Sequence, residues 1–352
     1  MKKKSILIYG EYSGYGKSLA KGFRELGYKS EVLSFSGDGF KKINDGLKIT
    51  GKNKLKKLIS FIKLIPTILS YKNVLVMNPS FFDFKFLGPF ILILLKLTKK
   101  NIILLCCGDD VEFIKQGRNG NIDNWPYSDV PLPKKEYFSK LSDLIINKLL
   151  ATFSSKIVPV MYDYNRAWSL SKFKNKLTKT IPLACDGSKK EINNKNYDKE
   201  KIVIMHGINR EEFKGTKIIR LALDRIQKKY SDQVEIIYPE KLSLTEYLKV
   251  MDNVDIAIDQ TKCNSYGMNA IYSMLSGHVV LAPANQHFKD DLNLKKTPIV
   301  SIENNEDSIY IALQKVIESP HDIYLRKVES QEYAINMHSP KIVAEKFLNY
   351  LK

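Results

Sequence analysis

The stretch Ile202-Val-Ile-Met-His206-Gly-Ile-Asn-Arg210-Glu-Glu-Phe-Lys214-Gly-Thr216 decides how the chain is read. Its first four residues are a short continuous apolar run between Lys201 and His206, the pattern of a strand buried on both faces. From Thr216 to Lys229 the spacing of apolar residues becomes helical, and Thr216 is placed to cap that helix. A strand joined to a helix by a short polar connection is one βα unit, and the pattern continues. Residues 234–238, 254–258, 279–282 and 298–301 read as further buried strands, with a helical pattern over 244–251. Residues 264–270 lead into a helix of small and apolar residues that Gly277 ends, and 341–351 form a last helix with one apolar stripe. The first half shows the same alternation, with strands at 5–9, 28–35, 74–77, 102–106, 157–160 and 180–184 and an amphipathic helix over 18–26. Continuous apolar strands between helices imply an α/β fold: two Rossmann-like domains with parallel sheets, facing across a cleft, with ligand at the carboxyl ends of the strands.

The boundaries follow from composition. Residues 187–201 are rich in Lys, Asn, Asp and Glu and poor in apolar residues, which suits a linker. The expected division is therefore 1–186, linker 187–201 and a second domain over 202–335. A length of 352 residues agrees with about two domains. Hydrophobic residues at 44% and charged residues at 27% exclude wholesale disorder and collagen-like repeats.

The 56 Lys and Arg against 38 Asp and Glu give a formal charge of +18, which favours an anionic partner: a phosphorylated small molecule, a membrane surface or a nucleic acid. Four cysteines without CxxC spacing suggest neither zinc nor a disulfide framework, and fit a reducing compartment. The apolar run behind Met1-Lys2-Lys3-Lys4 is too short for a signal peptide, and the longest run, 86–95, is about half a membrane span and contains Gly88-Pro89. The expectation is a cytoplasmic protein without a transmembrane helix.

Gly10, Gly14 and Gly16 precede Lys17-Ser18, yet the Walker A spacing requires a glycine where Glu11 stands, and a carboxylate there would face the phosphates. Two readings remain: a glycine-rich turn whose N–H groups approach an anion at the next helix, or a plain strand-to-helix turn. In the second half, Arg210 and Lys214 lie in the connection before a helix, where two cations and free N–H groups suit a pyrophosphate; the alternative is a solvated charged loop. His206, His278, His287, His321 and His338 show no metal-ligand spacing. His206 either orients a substrate from its strand end or is a satisfied structural histidine. Asp109 and Asp110 are adjacent, and no Asp-x-Asp occurs, so no metal or other cofactor is expected. Residues 52–72 carry Lys52, Lys54, Lys56, Lys57, Lys63 and Lys72 among large aliphatics, which reads either as a cationic amphipathic helix for an anionic membrane or as a core-facing helix with a lysine face. No RNA- or DNA-reading motif accompanies this charge, so no nucleic-acid partner is expected.

Taken together, Arg210…Lys214-Gly215, then Asn264-Ser-Tyr-Gly267…Tyr272-Ser-Met274-Leu-Ser-Gly277, resemble the phosphate loop and the Glu-x7-Glu motif of the retaining GT-B glycosyltransferases, particularly family four. Cys107-Gly-Asp-Asp110 and Ile181-Pro-Leu-Ala-Cys-Asp186 add to the likeness. The resemblance implies an acceptor-side first domain, a nucleotide-sugar-binding second domain, and a C-terminal helix, 336–352, that crosses back to the first. It implies transfer of a hexose from a nucleotide-diphosphate sugar, as co-substrate, to a carbohydrate acceptor such as a lipid-linked glycan. By that resemblance Lys214 with Arg210 or Asn209 neutralises the diphosphate, and Tyr266, Gly267, Met268 and Asn269 begin the helix that supports it. Asn264 contacts the donor sugar, Tyr272 the ribose, and Pro239 and Glu240 the base. Gly14, Tyr15 and Gly16 approach from the first domain, and Asp109 and Asp110 line the acceptor side.

Both motif glutamates are replaced, by Asn264 and Tyr272, each a hydrogen-bonding but uncharged residue. This leaves open altered donor recognition, a slow enzyme or a non-catalytic relative. A sugar-nucleotide epimerase of the same two-domain shape is the other reading.

Overall fold

The computed structural model describes residues 4–34, 46–83, 87–134, 136–187, 189–192, 201–208, 210–240, 242 and 244–352. Asn209 and much of the expected linker, 188 and 193–200, lie outside the described residues.

The first unit is built on a six-stranded sheet. Its elements are β1 (Ser5–Tyr9), α1 (Tyr15–Glu25), β2 (Lys29–Ser34), β3 (Leu47–Lys48), α2 (Lys54–Ser70), β4 (Asn73–Val76), α3 (Leu87–Leu97), β5 (Asn101–Cys106), α4 (Val111–Arg118), α5 (Leu141–Phe153), β6 (Lys156–Pro159) and α6 (Tyr162–Ser169). All its pairings are parallel, in the order β3-β2-β1-β4-β5-β6. One core joins Leu7, Tyr9, Val74, Val76, Ile102 and Leu104 of the strands to Phe61 and Ile68 of α2, Leu92 of α3 and Leu150 of α5. These three helices therefore cover one face of the sheet.

The expected strand at 180–184 does not form. Beyond β6 the chain makes an isolated bridge, Ile157 to Leu177, and Ile181 N–H donates to the Pro159 carbonyl at 3.0 Å. Pro182 has no N–H to continue a ladder, which explains why the pairing stops.

The second unit holds β7 (Ile202–His206), α7 (Glu211–Lys214), α8 (Thr216–Lys229), β8 (Val234–Ile237), α9 (Leu244–Val250), β9 (Ile256–Ile258), α10 (Met268–Leu275), β10 (Val279–Ala282), α11 (Gln286–Asp291), β11 (Val300–Ser301), α12 (Glu306–Ile317) and α13 (Pro320–His338). The sheet is again all parallel, in the order β11-β10-β9-β7-β8. From β7 the chain steps one way to β8, then returns past β7 to β9, β10 and β11. The strand order therefore reverses between β7 and β9, the place where open α/β sheets leave a crevice at the strands' carboxyl ends.

The chain returns to the first unit with α14 (Pro340–Phe347), which lies on α1. Gly22 permits this approach: a Cβ there would stand 2.0 Å from the Pro340 carbonyl oxygen. Phe347 meets Phe23 edge-on at 6.0 Å, and the backbone ends on Asn73, which bonds Lys352, and Asn101, which donates to the Tyr350 carbonyl at 2.8 Å.

The units depart from the sequence-drawn boundaries at two points. The first comprises Met1–Ile122, Leu132–Asp186 and Ser339–Lys352; the second comprises Asp123–Pro131 and Gly187–His338. Residues 336–338 thus end α13, and a nine-residue piece of the first half belongs with the second unit.

Candidate functional site

Two loops flank the reversal point of the second sheet. After β7 the chain passes Gly207 and the short helix α7, whose last residue is Lys214. After β9 it passes Asp259 on its way to Gly267, which opens α10. Lys214 is 5% and Asp259 6% exposed. Lys214 Nζ donates to Asp259 Oδ1 at 2.9 Å and to the Gly207 carbonyl at 3.3 Å. Asp259 Oδ2 accepts from the Gly267 N–H at 3.4 Å. The expected cation and the expected helix start therefore meet, but through a carboxylate of the chain itself. Gly215, at φ +74°, turns the chain into α8; a Cβ there would strike Thr261 Oγ1 at 2.1 Å.

Behind this pair His206 is fully buried. Its Nδ1 meets the Ile258 carbonyl at 3.0 Å and its Nε2 the Thr216 hydroxyl at 2.9 Å. A neutral ring that donates from Nδ1 and accepts at Nε2 satisfies both contacts. Burial, with the Lys214 ammonium adding to it, lowers the imidazole to about 4. Of the two sequence readings, the geometry is that of a satisfied structural histidine.

The other expected residues fall into three groups. Arg210 is exposed, with its guanidinium 3.8 Å above the Phe213 ring. Pro239 accepts from Ile208 N–H at 2.9 Å, beside Glu240, whose carboxylate pairs on the surface with Arg220 at 3.2 Å. Gly267 and Asn269 are half-buried at the start of α10, while Met268 and Tyr272 are buried in it.

Asn264 and Tyr266 point elsewhere. Asn264 is 1% exposed; its Nδ2 donates to the Asp123 carbonyl at 2.7 Å and its Oδ1 accepts from Asn285 Nδ2 at 2.7 Å. Tyr266 bonds Tyr333 Oη at 2.9 Å and His338 Nε2 at 2.8 Å, and burial pushes its phenol well up. Both side chains tie the β9–α10 loop into the unit.

The segment Asp123–Pro131 does the same work from a distance in sequence. Asn124 donates from Nδ2 to the carbonyls of Thr261 at 3.0 Å and Cys263 at 2.6 Å, and its own carbonyl accepts from Cys263 N–H at 2.8 Å. Asn124 and Cys263 both hold positive φ, 52° and 72°, so two left-handed turns face one another. Asp129 pairs with the buried Lys262 at 2.5 Å. Trp125 packs edge-on to Tyr127, and Tyr127 edge-on to Phe213 beside Arg210. Sequence reading passes over this segment because nothing in its periodicity marks it.

In the first unit the reversal point lies between β1 and β4. Gly14, at φ +87°, opens α1, and the glycine turn is filled by Glu11. The buried Glu11 carboxylate accepts from Gly14 N–H at 2.9 Å, Gly16 N–H at 3.3 Å and Lys17 N–H at 2.7 Å. An external anion has no place on these amides. Tyr15 is fully buried and does not reach the surface. Asp109 is half-buried and accepts from Tyr137 Oη at 2.9 Å. Asp110 is fully buried, caps α4 through Phe113 N–H at 2.8 Å, and accepts from Trp168 Nε1 at 2.8 Å. Its burial raises the carboxyl to about 7, against those two bonds. Among the described residues no group of three or more His, Cys, Asp or Glu side chains is arranged to hold a metal ion.

The two parallel-sheet Rossmann-like domains make up the two-domain fold called GT-B. The solved structures it is similar to bear this out at the level of fold. Anabaena HepE in complex with UDP and glucose is 12% identical, with a TM-score of 0.63 over 98% of each chain. Sucrose-phosphate synthase from Thermosynechococcus elongatus is 11% identical, with a TM-score of 0.60 over 98% of this chain and 97% of the other. UDP-GlcNAc 2-epimerase from Neisseria meningitidis, bound to UDP-GlcNAc, is 11% identical, with a TM-score of 0.50 over 98% of each chain. No family profile matches the sequence, and no curated protein matches it.

Proposed function

We propose that the protein is a retaining glycosyltransferase that moves a hexose from a nucleotide-diphosphate sugar to a carbohydrate acceptor, without a resident metal ion. The observation that carries this reading is the convergence of Lys214 and the amino terminus of α10 at the reversal point between β7 and β9. A primary ammonium and helix N–H groups are the donors that a leaving diphosphate needs as its charge develops. The exposed Arg210, one turn before Lys214, adds a second cation at the mouth of the same loop. Fold neighbours crystallised with UDP or UDP-glucose support a uridine nucleotide as the first donor to try.

The acceptor side rests on other observations. Asp109 is the half-buried carboxylate of the Asp109-Asp110 pair, and in this reading it lines the acceptor side. The outer faces of α2, α3 and α5 support a lipid-linked acceptor at the inner face of a membrane. Leu55, Leu58, Ile59 and Ile62 of α2, Phe90, Ile93 and Leu97 of α3, and Leu141, Leu144 and Ile145 of α5 are all exposed. Neither α2 nor α3 contains an acidic residue, and the lysines of α2 lie among these aliphatics. A surface that is both apolar and cationic suits an anionic bilayer. Among the described residues no helix is long and apolar enough to cross a membrane, so the contact is peripheral in this reading.

The epimerase among the fold neighbours favours a second reading, interconversion of free nucleotide sugars. One assay separates the two: incubation with UDP-, GDP-, ADP- and CDP-sugars, with and without glycan acceptors, followed by product analysis. A glycoside that appears only with acceptor supports the transferase. An isomeric nucleotide sugar formed without acceptor replaces it with the epimerase, and binding without any product marks a non-catalytic relative.

A further inference from the structure

The β9–α10 loop carries its own anion at the place where the donor diphosphate is proposed to bind. Asp259 takes up both kinds of donor the site offers: the Lys214 ammonium on Oδ1 and the Gly267 N–H on Oδ2. Glu11 fills the corresponding glycine turn of the first unit, but there three amides close fully around the carboxylate. At Asp259 the closure is incomplete. The Gly267 contact is long, at 3.4 Å, and among the described residues a Cβ built on Gly267 would come within 4 Å of Asp259 Oδ2 alone, at 3.9 Å. Gly267 supplies no side-chain cap to α10.

We infer that Asp259 is a specificity-determining residue that competes with the diphosphate for Lys214 and thereby discriminates between ligands by their charge. This rests on the donor reading above and deepens it. A diphosphate sugar carries one negative charge on each phosphate. After transfer the terminal phosphate gains a further ionisation, with a pKa of about 6 for such groups, so the free nucleoside diphosphate is more negative near neutral pH. The added charge sits at the end that Lys214 serves. A fixed carboxylate in a water-poor site repels the more highly charged ligand more strongly. Asp259 therefore lowers affinity for the leaving nucleotide more than for the donor, and favours its release.

The test is calorimetric titration of wild type and Asp259→Asn with UDP, GDP, ADP and CDP, and then with the sugar derivative of whichever base binds. In the variant, affinity for the free diphosphate should rise about tenfold, as expected from removing one nearby like charge, and affinity for the sugar derivative should rise less. Weaker binding of both ligands, or an unchanged ratio between them, overturns the proposal and leaves the donor reading intact. If neither protein binds any nucleoside diphosphate or its sugar, the donor reading falls and this inference falls with it. A second measurement does not depend on the variant folding: a wild-type crystal structure with the bound nucleoside diphosphate. Lys214 Nζ should then lie on a phosphate oxygen and beyond hydrogen-bond reach of Asp259; an intact pair beside bound ligand overturns the proposal.

Discussion

Lys214 Nζ lies 2.9 Å from Asp259 Oδ1, joining the loop after β7 to the loop after β9 in a pair that solvent barely reaches. Such a pair spends most of its attraction on desolvation, so its removal as a unit is tolerated better than the loss of one partner. Lys214→Met alone should destabilise the protein by about 3–5 kcal/mol, because it strands a buried carboxylate. Lys214→Met combined with Asp259→Leu should recover most of that loss. Urea unfolding of wild type, both single variants and the double variant checks this. A double variant no more stable than Lys214→Met would show that the carboxylate is not what the lysine compensates.

Asp110 should make stability depend on pH. Its carboxyl is raised to about 7 by burial, above its unfolded value, so between those values the folded state binds more protons. The stabilisation is complete below the unfolded pKa and is lost as pH rises through about 7, on the order of 4 kcal/mol in all. Asp110→Asn keeps a cap for α4 and cannot ionise. The difference in unfolding free energy between wild type and this variant should therefore shift toward the variant from pH 5 to pH 8. A constant difference across that range contradicts the assignment.

Asn124 should control the β9–α10 loop from 137 residues away. Asn124→Gly keeps the left-handed backbone and loses both side-chain bonds; Asn124→Ala loses the bonds and strains the backbone as well. The expected costs are about 2 kcal/mol for glycine and about 3 for alanine, at net bond values near 1 kcal/mol each. Nucleotide binding should weaken in both, since the loop they loosen carries Asp259 and Gly267. Thermal melts and titration, run side by side, measure the two effects.

The membrane reading predicts co-sedimentation with anionic vesicles at low salt and release as salt rises. At about 1 kcal/mol per basic residue near the surface, replacing Lys54, Lys56, Lys57 and Lys63 by Gln should abolish the sedimentation. Replacing exposed Phe90 and Ile93 of α3 by Ser should weaken it as well, and neither change should alter nucleotide titration. Wild type that ignores anionic vesicles at low salt would rule the surface out.

The leaving-group chemistry assigned to Lys214, Arg210 and the α10 start requires no divalent ion. Transfer should therefore proceed at an undiminished rate in EDTA. Loss of activity restored by one added divalent cation would replace this assignment with metal-assisted departure.

What can be read along the chain is what depends on near neighbours. The helix over 216–229 was legible to the residue because its apolar spacing is local, but the expected cap was not: Gly215 precedes the first turn without a side-chain cap, and the Thr216 hydroxyl bonds His206 instead. The βα alternation likewise made both parallel sheets legible, since a buried parallel strand is a continuous apolar run wherever it lies. Glu11 was legible only in part: its position excludes a P-loop, but the turn read as a possible site for an outside anion is filled by the Glu11 carboxylate itself. Where local signals compete, reading failed, as at 180–184, where Pro182 interrupts an otherwise strand-like run.

The site itself was decided by strand order. Lys214 and Asp259 are 45 residues apart and meet only because β9 lies beside β7, on the side away from β8. Periodicity says that a segment is a strand; it carries nothing about which strand will be its neighbour. Asn264 stands at a motif position and has a side chain able to bond a sugar, yet the turn at Asp123–Pro131 claims it. That turn lies in the first half of the sequence and folds with the second unit. Buried polar groups must find partners, and the nearest in space need not be near in sequence. The sequence alone thus determined the two sheets and the kinds of residue at their mouths. Only the tertiary structure decided which of those residues face an open site and which are spent holding it together, because that depends on hydrogen bonds between segments far apart in the chain.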